Sequence, residues 1–219
     1  MKREAYFTPE NIVAQSRSML DALASLRSRH ADIIFRAESA ALLVLDMQDY
    51  FLREGSHAFV PSALAILPKI QTLIKLFRAT NRPIIFTRHI NNDEDAGMMS
   101  RWWADLIRSD SPDSEIIALE SSSGIVIQKS QYDAFYKSSL DEILKGRGVD
   151  QVVVTGVMTH LCCETTARSA FVRGFQVFFC VDGTATYTEE MHRSSLLSLA
   201  HGFAIPVSSE ELVKNIICV

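Results

Sequence analysis

The chain is poor in the features that mark several protein classes. It has four cysteines in 219 residues, at positions 162, 163, 180 and 218, and no C-x-x-C pair or metal-ligand spacing with histidine. Two of them are adjacent, which is poor geometry for an ordinary disulfide. They read as reduced thiols of a cytoplasmic protein. There is no excess of basic residues: 22 Lys and Arg stand against 26 Asp and Glu, a net charge of −4. That leaves no electrostatic footprint for nucleic acid or an anionic membrane. The longest aliphatic run, Ala40 to Leu45, falls far short of the roughly 20 residues that span a bilayer. Met1-Lys2-Arg3-Glu4 runs into mixed polar sequence, without the apolar core of a signal peptide. With nine glycines and six prolines there is no low-complexity linker, and no internal repeat is visible. One domain over residues 1–219 is expected, with a helical extension at 1–38 and a core at 39–212.

Short apolar runs alternate with helical patterns. Ala41–Leu45, Pro83–Thr87, Ile125–Gln128, Val152–Thr155, Val177–Val181 and Phe203–Val207 read as strands. Helices are expected at Pro61–Asn81, Met98–Arg108, Leu140–Gly146, Thr159–Gly174 and Glu189–His201. Continuous apolar strands alternating with helices imply a parallel sheet covered on both faces. The fold class is therefore α/β, a three-layer, doubly wound, mainly parallel six-stranded sheet with an extra N-terminal helix. That helix starts at Thr8-Pro9-Glu10, with proline at its first position. Its apolar stripe, Ile12, Met19, Leu23 and Leu26, caps the domain or packs on a partner subunit.

Ligands of such sheets bind at the carboxyl ends of the strands. Three ionisable residues stand there: Asp46 after the first strand, Lys129 after the third and Cys162 just past the fourth. With strand order 3-2-1-4-5-6 they converge on one rim, Asp46 and Cys162 coming from adjacent strands. Cys162 sits near a helix N-terminus, where unpaired N–H groups and the dipole favour a thiolate. Asp46 would take the thiol proton and Lys129 would favour the charged states. Backbone N–H groups near Met158 and Cys162 would hold an oxyanion. Singly, each residue has a structural reading: a strand-ending Asp, a solvated Lys, a small core Cys. Spacing alone does not choose between Cys162 and Cys163, about 100° apart on a helix.

The strings Leu43-Val44-Leu45-Asp46-Met47-Gln48-Asp49-Tyr50-Phe51, Lys129 with Tyr132-Asp133-Ala134-Phe135, and Gly156-Val157-Met158-Thr159-His160-Leu161-Cys162 resemble the isochorismatase-like hydrolase superfamily over residues 38–212. The resemblance implies an Asp46–Lys129–Cys162 catalytic set, with Cys162 rather than Cys163 as nucleophile. It also implies a cis peptide before the nucleophile turn, at Val157-Met158. Superfamily members with the cysteine cleave C–N bonds, whereas isochorismatases proper hydrolyse a vinyl ether by protonation and resemble a pattern with glycine there. Here His160, Cys163, Thr165-Thr166-Ala167 and the string after Asp46 look like isochorismatase, and Cys162 does not. The expectation is a cysteine hydrolase of a small amide or carbamoyl compound. The alternatives are a vinyl ether hydrolase using Asp46 alone and a non-enzymatic interaction module. Nicotinamidases of the superfamily carry an Asp-x-His metal motif; this chain has none, only Asp49 and His57, which argues for no metal and no cofactor.

Around the pocket, Gln48, Phe51, Arg88, Trp102 and Tyr132 are candidate substrate contacts. Phe51 resembles the aromatic lining the superfamily's pocket. Arg88 and His89 end the second strand, and an arginine there would bind a substrate carboxylate bidentately. One of Trp102 and Trp103 would stack on substrate. Cys180, in the fifth strand, is expected in the core, and Cys218 is expected to be inert. The expected partner is a small molecule, with no nucleic acid or membrane. The apolar N-terminal stripe fits a homo-oligomer, dimer or tetramer.

Overall fold

β1 (Ala40–Leu45) is an unbroken apolar run because both of its faces are covered: every residue in it is buried. The computed structural model describes residues 2–116, 119, 121 and 124–217. It places β1 inside a six-stranded sheet with β2 (Ile84–His89), β3 (Ile125–Lys129), β4 (Gln151–Val157), β5 (Gln176–Ala185) and β6 (Ile205–Val207). The order is β3-β2-β1-β4-β5-β6 and every pairing is parallel. The order reverses between β1 and β4, so the carboxyl ends of those two strands flank the crevice where such sheets bind ligands.

Helices α1 (Ile12–Ala22) and α2 (Ala24–Arg27) precede the sheet, and α3 (Asp49–Leu52) is a single turn after β1. Then follow α4 (Ala63–Ala79), α5 (Met99–Trp102), α6 (Leu140–Gly146), α7 (Glu164–Val172), α8 (Glu189–Gly202) and α9 (Ser209–Ile217). The apolar stripe of α4 buries Ile66, Ile70, Leu73, Ile74 and Phe77 against the sheet. α9 packs beside α4, and α7 and α8 pack together near β5 and β6. The buried apolar side chains form one cluster. No helix among the described residues is long and apolar enough to cross a membrane.

Several expectations are corrected. The N-terminal helix begins at Ile12, not at Pro9, because Asn11 folds the chain into a turn. Its Oδ1 accepts from the Thr8 N–H at 2.8 Å and its Nδ2 donates to the Tyr6 carbonyl at 3.1 Å. Its apolar stripe then packs against β5 of the same chain. The helix expected over Met98–Arg108 stops at Trp102. Trp103 turns extended there, and the Ile107 carbonyl accepts from the Asn91 N–H at 2.7 Å, so the segment serves as rim instead. β3 lies at the sheet edge and alternates buried Ile127 and Lys129 with exposed Val126 and Gln128. α9 carries its own start signal, a Ser208-x-x-Glu211 capping box in which Glu211 Oε2 accepts from the Ser208 N–H at 2.8 Å. Cys218 lies outside the described residues.

Candidate active site

The rim is assembled by close contact between β1 and β4. Gly156 has φ +111°, and a Cβ there would sit 2.0 Å from the Leu45 carbonyl oxygen. Only glycine lets β4 pass this near the end of β1. Immediately after that contact Asp46 adopts φ +51°, a left-handed conformation uncommon for a side chain-bearing residue. Thr87 of β2 stabilises it twice: its Oγ1 accepts from the Asp46 N–H at 3.1 Å and donates to Asp46 Oδ1 at 2.6 Å. β4 ends in a cis Val157–Met158 peptide. A wide turn over Thr159–Cys163 follows, in which the Met158 carbonyl accepts from both Leu161 N–H and Cys163 N–H. Cys162 is thereby held just before α7, facing Asp46.

Lys129 comes in from the end of β3. Its Nζ lies 2.8 Å from Asp46 Oδ2, 2.9 Å from the Gln131 carbonyl oxygen, 3.2 Å from His89 Nδ1 and 3.4 Å from Cys162 Sγ. The Lys129 and Asp46 side chains are wholly shielded from water. Burial opposes the charge on each, but each overcomes it in the other: Asp46 is held below the usual carboxylate range and Lys129 above the usual amine range. The Cys162 thiol behaves differently. Burial pushes it up, the Asp46 carboxylate adds to that, and Lys129 only partly opposes them. Burial and the Asp46 carboxylate thus raise the thiol, against the lowering expected from the helix terminus. Cys163 points elsewhere, its thiol directed at the Thr155 carbonyl.

A cavity of about 310 Å³ opens above Cys162. Phe51, Trp103, Tyr132, Met158 and Leu161 are among its apolar lining, and His89 and Asn91 face it from β2 and the residues beyond. His89 accepts from Lys129 at Nδ1 and meets Asn91 Oδ1 at 2.9 Å through Nε2, so the ring is neutral with its proton on Nε2. Burial and the neighbouring Lys129 push its pKa down to about 4.

Three expected contacts fall elsewhere. Gln48 does not reach the cavity. Its buried amide clamps β1 to β2, donating to the His89 and Ser114 carbonyls and accepting from the His89 N–H at 2.7 Å. Arg88 turns to the opposite side of β2 and is engaged by the Ser114 carbonyl and hydroxyl and the Glu115 carboxylate. Trp102 is 73% exposed, while Trp103 lines the cavity and donates from Nε1 to Tyr132 Oη at 2.7 Å. The alternation of strand side chains was the available signal: Thr87 and His89 share the face towards the site, and Arg88 lies between them. Arg3, Tyr50 and Tyr187 also line the cavity, and no spacing in the sequence points to them.

Residues 40–211 match the isochorismatase domain. The chain belongs to the isochorismatase family of hydrolases. It is 42% identical over 184 residues to Nicotinamidase 3 of Arabidopsis thaliana, covering 81% of this chain and 89% of that one. It is 32% identical over 186 residues to enterobactin synthase component B of Escherichia coli K12, covering 83% of this chain and 65% of that one. Its fold superposes on the crystal structure of a cysteine hydrolase from Pseudomonas syringae with a TM-score of 0.81 and 27% identity, over 84% of this chain and 95% of that one. Membership of the hydrolase family removes the interaction-module alternative.

Among the described residues of this isochorismatase-family chain, the one close cluster of possible ligands is poorly suited to a metal ion. Among the described residues the group with ligand atoms close enough is Asp46, His89 and Cys162. The Lys129 ammonium already lies within 3.4 Å of a ligand atom on each of the three. A second cation there would be repelled at close range. Asp49 and His57 belong to no such group.

Proposed function

We propose that the chain is a cysteine hydrolase that cleaves the C–N bond of a small, planar amide or carbamoyl compound, with Cys162 as nucleophile, Asp46 as acid and base, and Lys129 as electrostatic support. The observation that carries this reading is the contact set at one point of the cavity floor: Lys129 Nζ lies 2.8 Å from the Asp46 carboxylate and 3.4 Å from Cys162 Sγ, with the carboxylate and the sulfur within 4.8 Å of each other. As Sγ attacks the carbonyl carbon, its proton passes to Asp46, so a free thiolate is never needed at rest. The carbonyl oxygen becomes an oxyanion, for which the N–H groups of Met158 and Cys162 are the proposed donors, Val157 being the residue before the cis bond. Asp46 then gives the proton to the leaving nitrogen, and the C–N bond breaks to leave a thioester on Cys162. Water attacks the thioester, Asp46 accepts its proton and returns it to sulfur, and the carboxylic acid leaves.

Vinyl ether hydrolysis would instead need Asp46 to arrive protonated. Lys129 at 2.8 Å opposes that, and the thiol of Cys162 is the proton source beside it. The aromatic wall of Phe51, Trp103 and Tyr132 suits a flat ring or conjugated chain, and the likeness to a nicotinamidase supports an amide. The test is ammonia release from a panel of aromatic and carbamoyl amides, with mass spectrometry of the quenched enzyme. An acyl adduct on Cys162, and turnover lost by orders of magnitude in Cys162→Ala, is the expected result. Full turnover of isochorismate by Cys162→Ala would overturn it.

A further inference from the structure

We infer that Arg3 is the anion-recognition residue of this cavity, and that the substrate amide also carries a carboxylate. The inference rests on the amide reading for the reaction, but its geometry stands apart. The arginine expected at the end of β2 is turned away; the one that reaches the cavity comes from the N-terminal segment. That segment is tied to the rim at successive residues. The Glu4 N–H donates to the Tyr187 carbonyl at 2.8 Å, and the Glu4 carboxylate accepts from the Glu189 N–H. Ser62 Oγ donates to the Glu4 carbonyl and accepts from the Phe7 N–H, both at 3.1 Å. Tyr6 Oη accepts from the Thr186 N–H at 3.0 Å and meets His192 Nδ1 at 2.9 Å.

The exposed Arg3 side chain is thereby brought to the edge of the cavity. One Nη donates to the His57 carbonyl, and the guanidinium lies over the Tyr187 ring at 5.2 Å. A guanidinium has five N–H donors, and a planar acceptor such as a carboxylate takes two at once. Among the described residues no carboxylate forms an ion pair with Arg3; the neighbouring Glu4 pairs with Lys2. The guanidinium is held by an uncharged carbonyl and an aromatic face, which orient it without neutralising it. The acid on the cavity wall, Asp105, accepts from Tyr50 Oη at 3.4 Å. A substrate with its amide over Cys162, its flat body against Phe51 and Trp103, and its carboxylate at Arg3 fills the charges the wall leaves open.

The test compares benzamide with the ortho, meta and para carbamoylbenzoates. Binding is measured by titration calorimetry on the Cys162→Ala protein, which separates recognition from reaction. The expected result is that one of the carbamoylbenzoates binds about tenfold more tightly than benzamide. That ratio should fall to near one when Arg3→Gln is added and recover in part with Arg3→Lys. Matching thermal unfolding midpoints show that the segment remains seated. A ratio near one in the parent protein, binding by none of the compounds, or a ratio that persists in Arg3→Gln overturns the inference. Ammonia release by the wild-type enzyme is read separately: its absence from all four compounds counts against the amide reading, while the calorimetric ratio decides the role of Arg3.

Discussion

Lys129 Nζ and Asp46 Oδ2 face each other at 2.8 Å with both side chains sealed from solvent. A buried pair of this kind is defined more by what happens when half of it is removed than by its net contribution. Lys129→Met leaves an uncompensated carboxylate in the core and should cost about 3–5 kcal/mol in urea unfolding. Adding Asp46→Asn to that variant should restore much of the loss, although neither protein would turn over substrate. A double variant no more stable than Lys129→Met would show that the pair is not coupled.

The resting state of Cys162 makes a prediction about alkylation. Burial and Asp46 both hold the thiol protonated, so iodoacetamide should label Cys162 slowly at neutral pH. The rate should climb only above the ~8.5 of a free thiol. Asp46→Asn removes a charge that opposes thiolate formation, so labelling at fixed pH should become faster while hydrolysis is lost. Slower labelling in that variant would mean that Asp46 activates the thiol at rest.

Acid should destabilise the fold through two buried histidines. His89 is pushed down to about 4 by burial and Lys129, and His192 to about 3 by burial and then Arg193. Both are neutral when folded, whereas the unfolded chain protonates them near 6.5. The unfolded state therefore binds more protons below that value. Stability should be fully present above pH ~6.5 and should fall towards pH 4, by up to about 1.4 kcal/mol per pH unit for each histidine. Urea midpoints at pH 5 and 7 measure this, and His192→Gln should flatten the slope.

Gly156→Ala should be among the most disruptive single changes. The added methyl would meet the Leu45 carbonyl at 2.0 Å, at a φ of +111°. A loss of about 3 kcal/mol or more is expected, seen as a lowered thermal midpoint or insoluble expression. Gly174→Ala, whose Cβ would meet nothing within 4 Å although its φ is +90°, should cost only about 1 kcal/mol. Equal losses at the two positions would count against the close approach of β1 and β4.

The layered sheet is legible in the sequence alone. Strands such as Val152–Val154 are apolar on both faces, and helices such as Leu140–Gly146 end at glycine, so local sequence carries the information. The same logic led from Asp46, Lys129 and Cys162, each at or just past a strand end, to one rim, because parallel strands bring their carboxyl ends together. What local pattern could not convey was direction and company. Arg88 and His89 are neighbours in sequence, but which of them meets the site depends on the phase of β2 against β1, set by pairs such as Leu42 with Ile84. Whether Cys162 rests as thiol or thiolate depends on its burial beside Asp46, a desolvation that only the packed structure creates. Arg3 stands 159 positions from Cys162 in the chain. Its arrival at the same cavity is decided by hydrogen bonds from Glu4, Tyr6 and Phe7 to the rim, long-range contacts that no local periodicity records.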